Sequence, residues 1–191
     1  MLRVDLRAAA CRQAFRLFLE RIIPPGSFRV TACGSRANTF QDFRTALRRH
    51  PHDYVILLVD SEEPVATGPW VHLGNSIGDQ WHQPHGTSND QVHLRVQVME
   101  SRFLADPATL VAYHGDGFLA GSLPGQPNVE LLQKQDVLRA LEHASKPTQK
   151  GVYHKTRHAF DLREKINPTR LRGASIHAER LFTVLVRETT V

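Results

Sequence analysis

Apolar residues recur along residues 3–22, RVDLRAAACRQAFRLFLERI, at Cys11, Phe15, Phe18 and Ile22. That spacing of i, i+4, i+7 and i+11 predicts one face of a helix, with Arg12, Arg16 and Glu20 turned elsewhere. Pro24-Pro25-Gly26 stops it. SFRVTACG then reads as a short strand over 27–32, closed by glycine. NTFQDFRTALRRH reads as a helix with Asn38 or Thr39 as its N-cap. In DYVILLVDSEEP the five residues Val55 to Val59 are apolar without alternation and end abruptly in Asp60. Such a run predicts a strand over 54–59 buried on both faces, as in a parallel sheet covered by helices. Strand, helix and strand in this order make a βαβ unit with a right-handed crossover.

Residues 61–89 concentrate the turn chemistry, with Pro64, Gly68, Pro69, Gly74, Gly78, Pro84, Gly86 and Asn89. They read as one long loop, which Trp70 and Trp81 anchor to the core. Residues 92–98 carry two patterns. Val92, Leu94, Val96 and Val98 alternate as in a strand, whereas Asp90, His93, Gln97 and Glu100 form one stripe of a helix. The β-branched content favours a strand that turns into a short helix carrying Glu100. Asp106 before Pro107 reads as the N-cap of another helix. Residues 114–133 are irregular, and helices are expected at 134–145, 156–166 and 175–187. The organisation is thus an α/β core over 1–113 and an irregular linker with a helical C-terminal region over 114–191, packed as one structural domain.

The bulk numbers alter this picture little. The chain has 191 residues, enough for one domain of ordinary size. Its net charge of +5 favours a polyanionic partner but is equally met in a plain basic surface. The two cysteines, Cys11 and Cys33, lie in apolar segments and read as buried free thiols of a cytoplasmic protein. No stretch approaches the ~18 apolar residues that span a membrane.

The acid at the end of the DYVILLVD strand suggests chemistry. In an open α/β sheet, sites form beyond the carboxyl ends of the strands. Asp60 stands at such an end, Glu62 follows, and Glu100 is delivered toward the same edge by the next strand. Convergent hard oxygen ligands suit Mg²⁺ or Mn²⁺, which clamp phosphodiester oxygens and activate water. Ordinary turn chemistry with solvated glutamates explains the same residues. Gly34-Ser35-Arg36 reads either as a phosphate-binding turn or as a plain strand-to-helix turn. Lys150, Lys155, Arg157 and His158, with Tyr153 interleaved, suit a nucleic-acid backbone and its bases, or else a solvated helix start. His72, His82, His85 and His93 fit no closed zinc site. No GxxxxGK[ST] motif is present.

The stretches ACRQAFRLFLE, ACGSR, LLVDSE, PW, DQVHL, VMESRFLAD, NVE, KQDVL and KGVYHKTRHAF resemble a bacterial family known as domain of unknown function 4276. That family is similar to the Toprim fold of topoisomerases, primases and overcoming-lysogenization-defect nucleases. The resemblance implies a mostly parallel Toprim-like sheet flanked by helices. It implies metal-dependent phosphodiester hydrolysis with Asp60, Glu62 and Glu100 around Mg²⁺ or Mn²⁺ and His158 as a proton donor. Arg36, Lys150, Lys155 and Arg157 would hold the nucleic acid, DNA or RNA. It also implies a separate AAA- or ABC-type ATPase as partner, often in anti-phage defence. The family opens with a short strand and a VEGGG-like turn, whereas this sequence begins inside the first helix, so the first acidic motif is expected to be missing. It carries an aromatic residue where Arg102 stands. The second expectation is therefore a non-catalytic binding component that docks an ATPase or nucleic acid. A third is phosphate chemistry on a small substrate.

Overall fold

The computed structural model describes residues 6–190. Residues 3–5 of the expected first helix lie outside them. Helix α1 runs over Leu6–Leu19 and α2 over Arg36–Arg49. Strand β1 is Leu57–Asp60, α3 is Pro69–Asn75 and β2 is Val92–Arg95. A 3₁₀ turn over Met99–Ala105 leads into α4, Pro107–His114. Four helices complete the chain: α5 Lys134–Ser145, α6 Lys155–Lys165, α7 Pro168–Ala174 and α8 Ile176–Thr189.

The protein is α/β, and its sheet among the described residues is a parallel pair, β1 beside β2. The register sets Leu57, Leu58, Val59 and Asp60 opposite Val92, His93, Leu94 and Arg95. Leu57, Val59, Val92 and Leu94 face one core with Phe43, Trp70, Leu73 and Trp81. Ile56 and Leu58 face the other, built on Phe18, Phe103, Leu110, Leu141, Leu162 and Phe182. Two apolar faces explain the unalternating VILLV run, because a strand between two helical layers has no solvent side. Each fully buried leucine or phenylalanine here contributes roughly 1.5–3 kcal/mol over its exposed state.

Three expectations are corrected. The strand expected at 27–32 is irregular chain. Its alternation survives as half-buried Phe28, Val30 and Ala32 against exposed Arg29 and Thr31, but β1 takes its ladder from β2 and the segment joins no sheet. α2 starts at Arg36, capped by Ser35 rather than Asn38 or Thr39: the Asn38 N–H donates to Ser35 Oγ at 3.2 Å. Gly34 makes this possible at φ +80°, a conformation costly for other residues. Cys11 and Cys33 are free but half-buried.

Other signals hold. β2 leads into a 3₁₀ turn that carries Glu100. Asp106 caps α4, accepting from the Thr109 N–H at 3.3 Å and its hydroxyl at 2.6 Å. Its second oxygen also accepts from the Asn167 N–H at 3.0 Å, which ties the start of α7 to the start of α4. The tryptophans anchor the 61–89 segment as expected: Trp81 stacks on Phe40 at 4.5 Å and Trp70 meets Phe43. That segment also contains α3, whose first turn carries Pro69. No described helix is long and apolar enough to cross a membrane.

Candidate functional site

Asp60 ends β1 opposite Arg95, and its Oδ1 lies 2.8 Å from Arg95 Nε. Arg36 donates to the Asp60 carbonyl oxygen and clamps Asp79 with two hydrogen bonds of 2.7 and 2.5 Å. Its guanidinium lies over the Trp81 ring at 5.1 Å. A fork filled in this way fixes the loop against the sheet edge.

Glu62 stands two residues on, in the left-handed region at φ +63°. Its N–H continues the ladder to the Gln97 carbonyl at 3.0 Å, while its carboxylate pairs with Lys134 at 2.6 Å on the surface. Glu100 goes elsewhere. The 3₁₀ turn drives it inward until it is wholly inaccessible to solvent. There Tyr153 donates its hydroxyl to Oε1 at 3.2 Å, and Lys155 Nζ lies 3.5 Å from Oε2. Burial, then the Glu100 charge, pushes the Tyr153 phenol far up, so it stays a donor at ordinary pH.

Each of the three acids thus faces a cation of its own chain. Among the described residues no three histidine, cysteine or acidic side chains converge as a metal-binding group. As they stand, Asp60, Glu62 and Glu100 are not a common donor set for Mg²⁺ or Mn²⁺.

The remaining expected residues gather at the start of α6. His154 caps it, its Nδ1 accepting from the Thr156 N–H at 3.3 Å. The His154 N–H donates to His158 Nδ1 at 3.0 Å. A neutral His158 therefore carries its proton on Nε2. Burial, then the Arg157 charge, holds His158 below the usual imidazole range. Its ring packs among Tyr113, His114 and Tyr153. Lys150, Lys155 and Arg157 are exposed around it. Lys150 Nζ sits 4.9 Å over the Tyr113 ring, and the Tyr113 hydroxyl donates to Asp161 at 3.1 Å. Beside them an open cleft of about 500 Å³ runs between α4 and α6, lined by Thr109, Tyr113, Lys150, Asp161 and Lys165.

Tyr113, His114, Lys134 and Arg95 are absent from the sequence-based set. His114 is buried with neither ring nitrogen hydrogen-bonded and stacks on Phe118 at 5.0 Å. Burial, then His158, pushes it down to about 4. Its signal was present: His114 falls four residues after the buried Leu110, on the same helical face. Lys134 and Arg95 carry no comparable signal, because each meets its acid through the fold alone.

The family model described as domain of unknown function DUF4276 matches residues 9–186. No curated protein and no solved structure matches the chain.

Proposed function

The chain belongs to the DUF4276 family, and on that premise we propose that it is a nucleic-acid-binding component of Toprim-like type, working in the cytoplasm beside a partner ATPase. The observation that carries this reading is Lys150 poised over Tyr113 at the mouth of the α4–α6 cleft. Cations track a phosphodiester backbone, and an aromatic face beside them stacks a base without regard to its identity. Lys165 extends the line along the cleft, while Lys155 and Arg157 extend it around the exposed start of α6. The helix N-terminus adds its own partial positive charge. Buried Glu100 lies 3.5 Å from Lys155 Nζ and holds that side chain at the helix start, offsetting part of its charge. The whole chain is basic, at +5, which favours the encounter with a polyanion. Binding of a labelled single-stranded DNA or RNA in the presence of a chelator tests the reading, with Lys150→Ala plus Lys155→Ala as the control.

Metal-dependent hydrolysis with Mg²⁺ or Mn²⁺ is the second reading. It is favoured by Asp60 Oδ1 and Glu100 Oε2, buried carboxylate oxygens that accept no hydrogen bond. Cleavage of the same strands on addition of Mg²⁺, lost in Asp60→Ala, would select it.

A further inference from the structure

Arg95, Arg102 and Arg163 converge from β2, the 3₁₀ turn and α6 on a cavity of about 20 Å³. Phe15, Phe18 and Met99 supply much of its apolar wall. Two of the guanidinium groups lie over the Phe15 ring, Arg163 at 4.1 Å and Arg95 at 5.8 Å from its centroid. Arg102 and Arg163 are each only 8% exposed.

Their hydrogen bonding is incomplete. Arg102 Nε and Nη2 are buried and have no acceptor. Arg95 Nε lies near Asp60 but is not aligned to donate to it. Arg163 donates from Nη1 only to the Cys11 sulfur at 3.4 Å, a weak acceptor. Among the described residues, Asp60 is the carboxylate nearest the group. Glu130 acts on Arg102 from further away, and its oxygens are already engaged by Ser175 and by the N–H and ring of His177. Burial, then repulsion by Arg95, lowers Arg102 to about 9, and the same two causes lower Arg163 to about 10. Both remain charged at neutral pH. Among the described residues three guanidinium groups thus face one near carboxylate, with Arg102 donors left open in an apolar wall, an arrangement that is costly without a further partner.

We propose that this cavity is an anion site that takes one compact oxyanion, a phosphate or carboxylate group, on the open donors of Arg102 with Arg163 and Arg95 beside it. A guanidinium fork matches two oxygens of such a group, and charge-assisted bonds gain strength in a dry surrounding. As it stands the cavity has room for little more than a water molecule, so its wall must give way to admit the head group of a free anion or of a longer molecule that stays outside. The site is separate from the α4–α6 cleft and stands whether or not nucleic acid binds there.

Calorimetric titration of the full chain with sodium phosphate, and separately with sodium acetate, at constant ionic strength tests this. Saturable binding of one anion per chain is expected, with Tm rising as that anion is added. Preference for phosphate or for acetate identifies the head group. Arg102→Lys keeps a charge but loses the fork, and is expected to bind at least tenfold more weakly. Arg102→Met removes the unpaired charge, and its Tm is expected to ignore both anions. No saturable binding of either anion by the native chain overturns the proposal. So does binding that is unchanged in Arg102→Lys.

Discussion

Asp60 and Arg95 face each other across the two strands of the sheet, Oδ1 2.8 Å from Nε. The acid that closes the apolar run of β1 therefore balances a guanidinium that β2 delivers to the same level. Both side chains are largely shielded, so removal of either leaves the other poorly solvated. Asp60→Ala is expected to cost about 1–3 kcal/mol in urea unfolding. A carboxylate held against other carboxylates for a metal would behave oppositely, and its removal would raise stability without metal.

Tyr153 supplies the hydroxyl bond to the buried Glu100 carboxylate. Tyr153→Phe keeps the ring against Phe103 and deletes only that bond. A hydrogen bond to a charged group contributes ~1.5–3 kcal/mol. The variant should lose about that much in chemical denaturation, with little change in its near-ultraviolet dichroism.

His93 and His114 are both pushed down to about 4, by burial first and then by Arg180 and His158 respectively. The unfolded chain binds their protons near pH 6.5, whereas the fold does not. Their contribution is therefore fully present above pH 6.5 and is lost as pH falls from there toward 4. Stability measured between pH 7 and pH 4.5 should decline with a slope rising by up to ~1.4 kcal/mol per pH unit for each histidine. His114→Phe keeps an aromatic ring on Phe118 and should flatten that decline by about one proton.

Glu62 adopts φ +63° on the surface. A left-handed residue with a side chain costs about 1–2 kcal/mol, and an exposed ion pair such as Glu62–Lys134 returns ~0–1 kcal/mol. Glu62→Gly should therefore leave Tm unchanged or raise it by a few degrees. Glu62→Val, with its branched Cβ, should lower it.

The parts of this fold that were legible in the sequence are those set by neighbours along the chain. The unbroken VILLV run betrayed a strand between two layers, and Asp106-Pro107 betrayed a helix start, because both depend on residues a few positions apart. The 27–32 segment had the right alternation, but a strand also needs a ladder partner, which no local pattern supplies. The helix at Arg36 starts early because Gly34 turns the chain and Ser35 caps it, a pairing masked by the equally good caps that follow. The basic residues of KGVYHKTRHAF were legible as a group, and α6 does gather them. The acids were legible as acids but not as ion pairs. Asp60 meets Arg95 through strand register, Glu62 meets Lys134 72 residues away, and Glu100 turns inward.

The most direct measurement is fluorescence anisotropy of a labelled single-stranded oligonucleotide, with chelator present and salt varied. The native chain should bind, and log affinity should fall linearly with log salt. In Lys150→Ala plus Lys155→Ala the slope should shrink by about 0.7 for each phosphate contact removed, whatever the base sequence. Tyr113→Leu should weaken binding by ~1–3 kcal/mol with the slope unchanged. Absence of binding at low salt, or a slope indifferent to Lys150 and Lys155, would contradict the assignment of the α4–α6 cleft to nucleic acid.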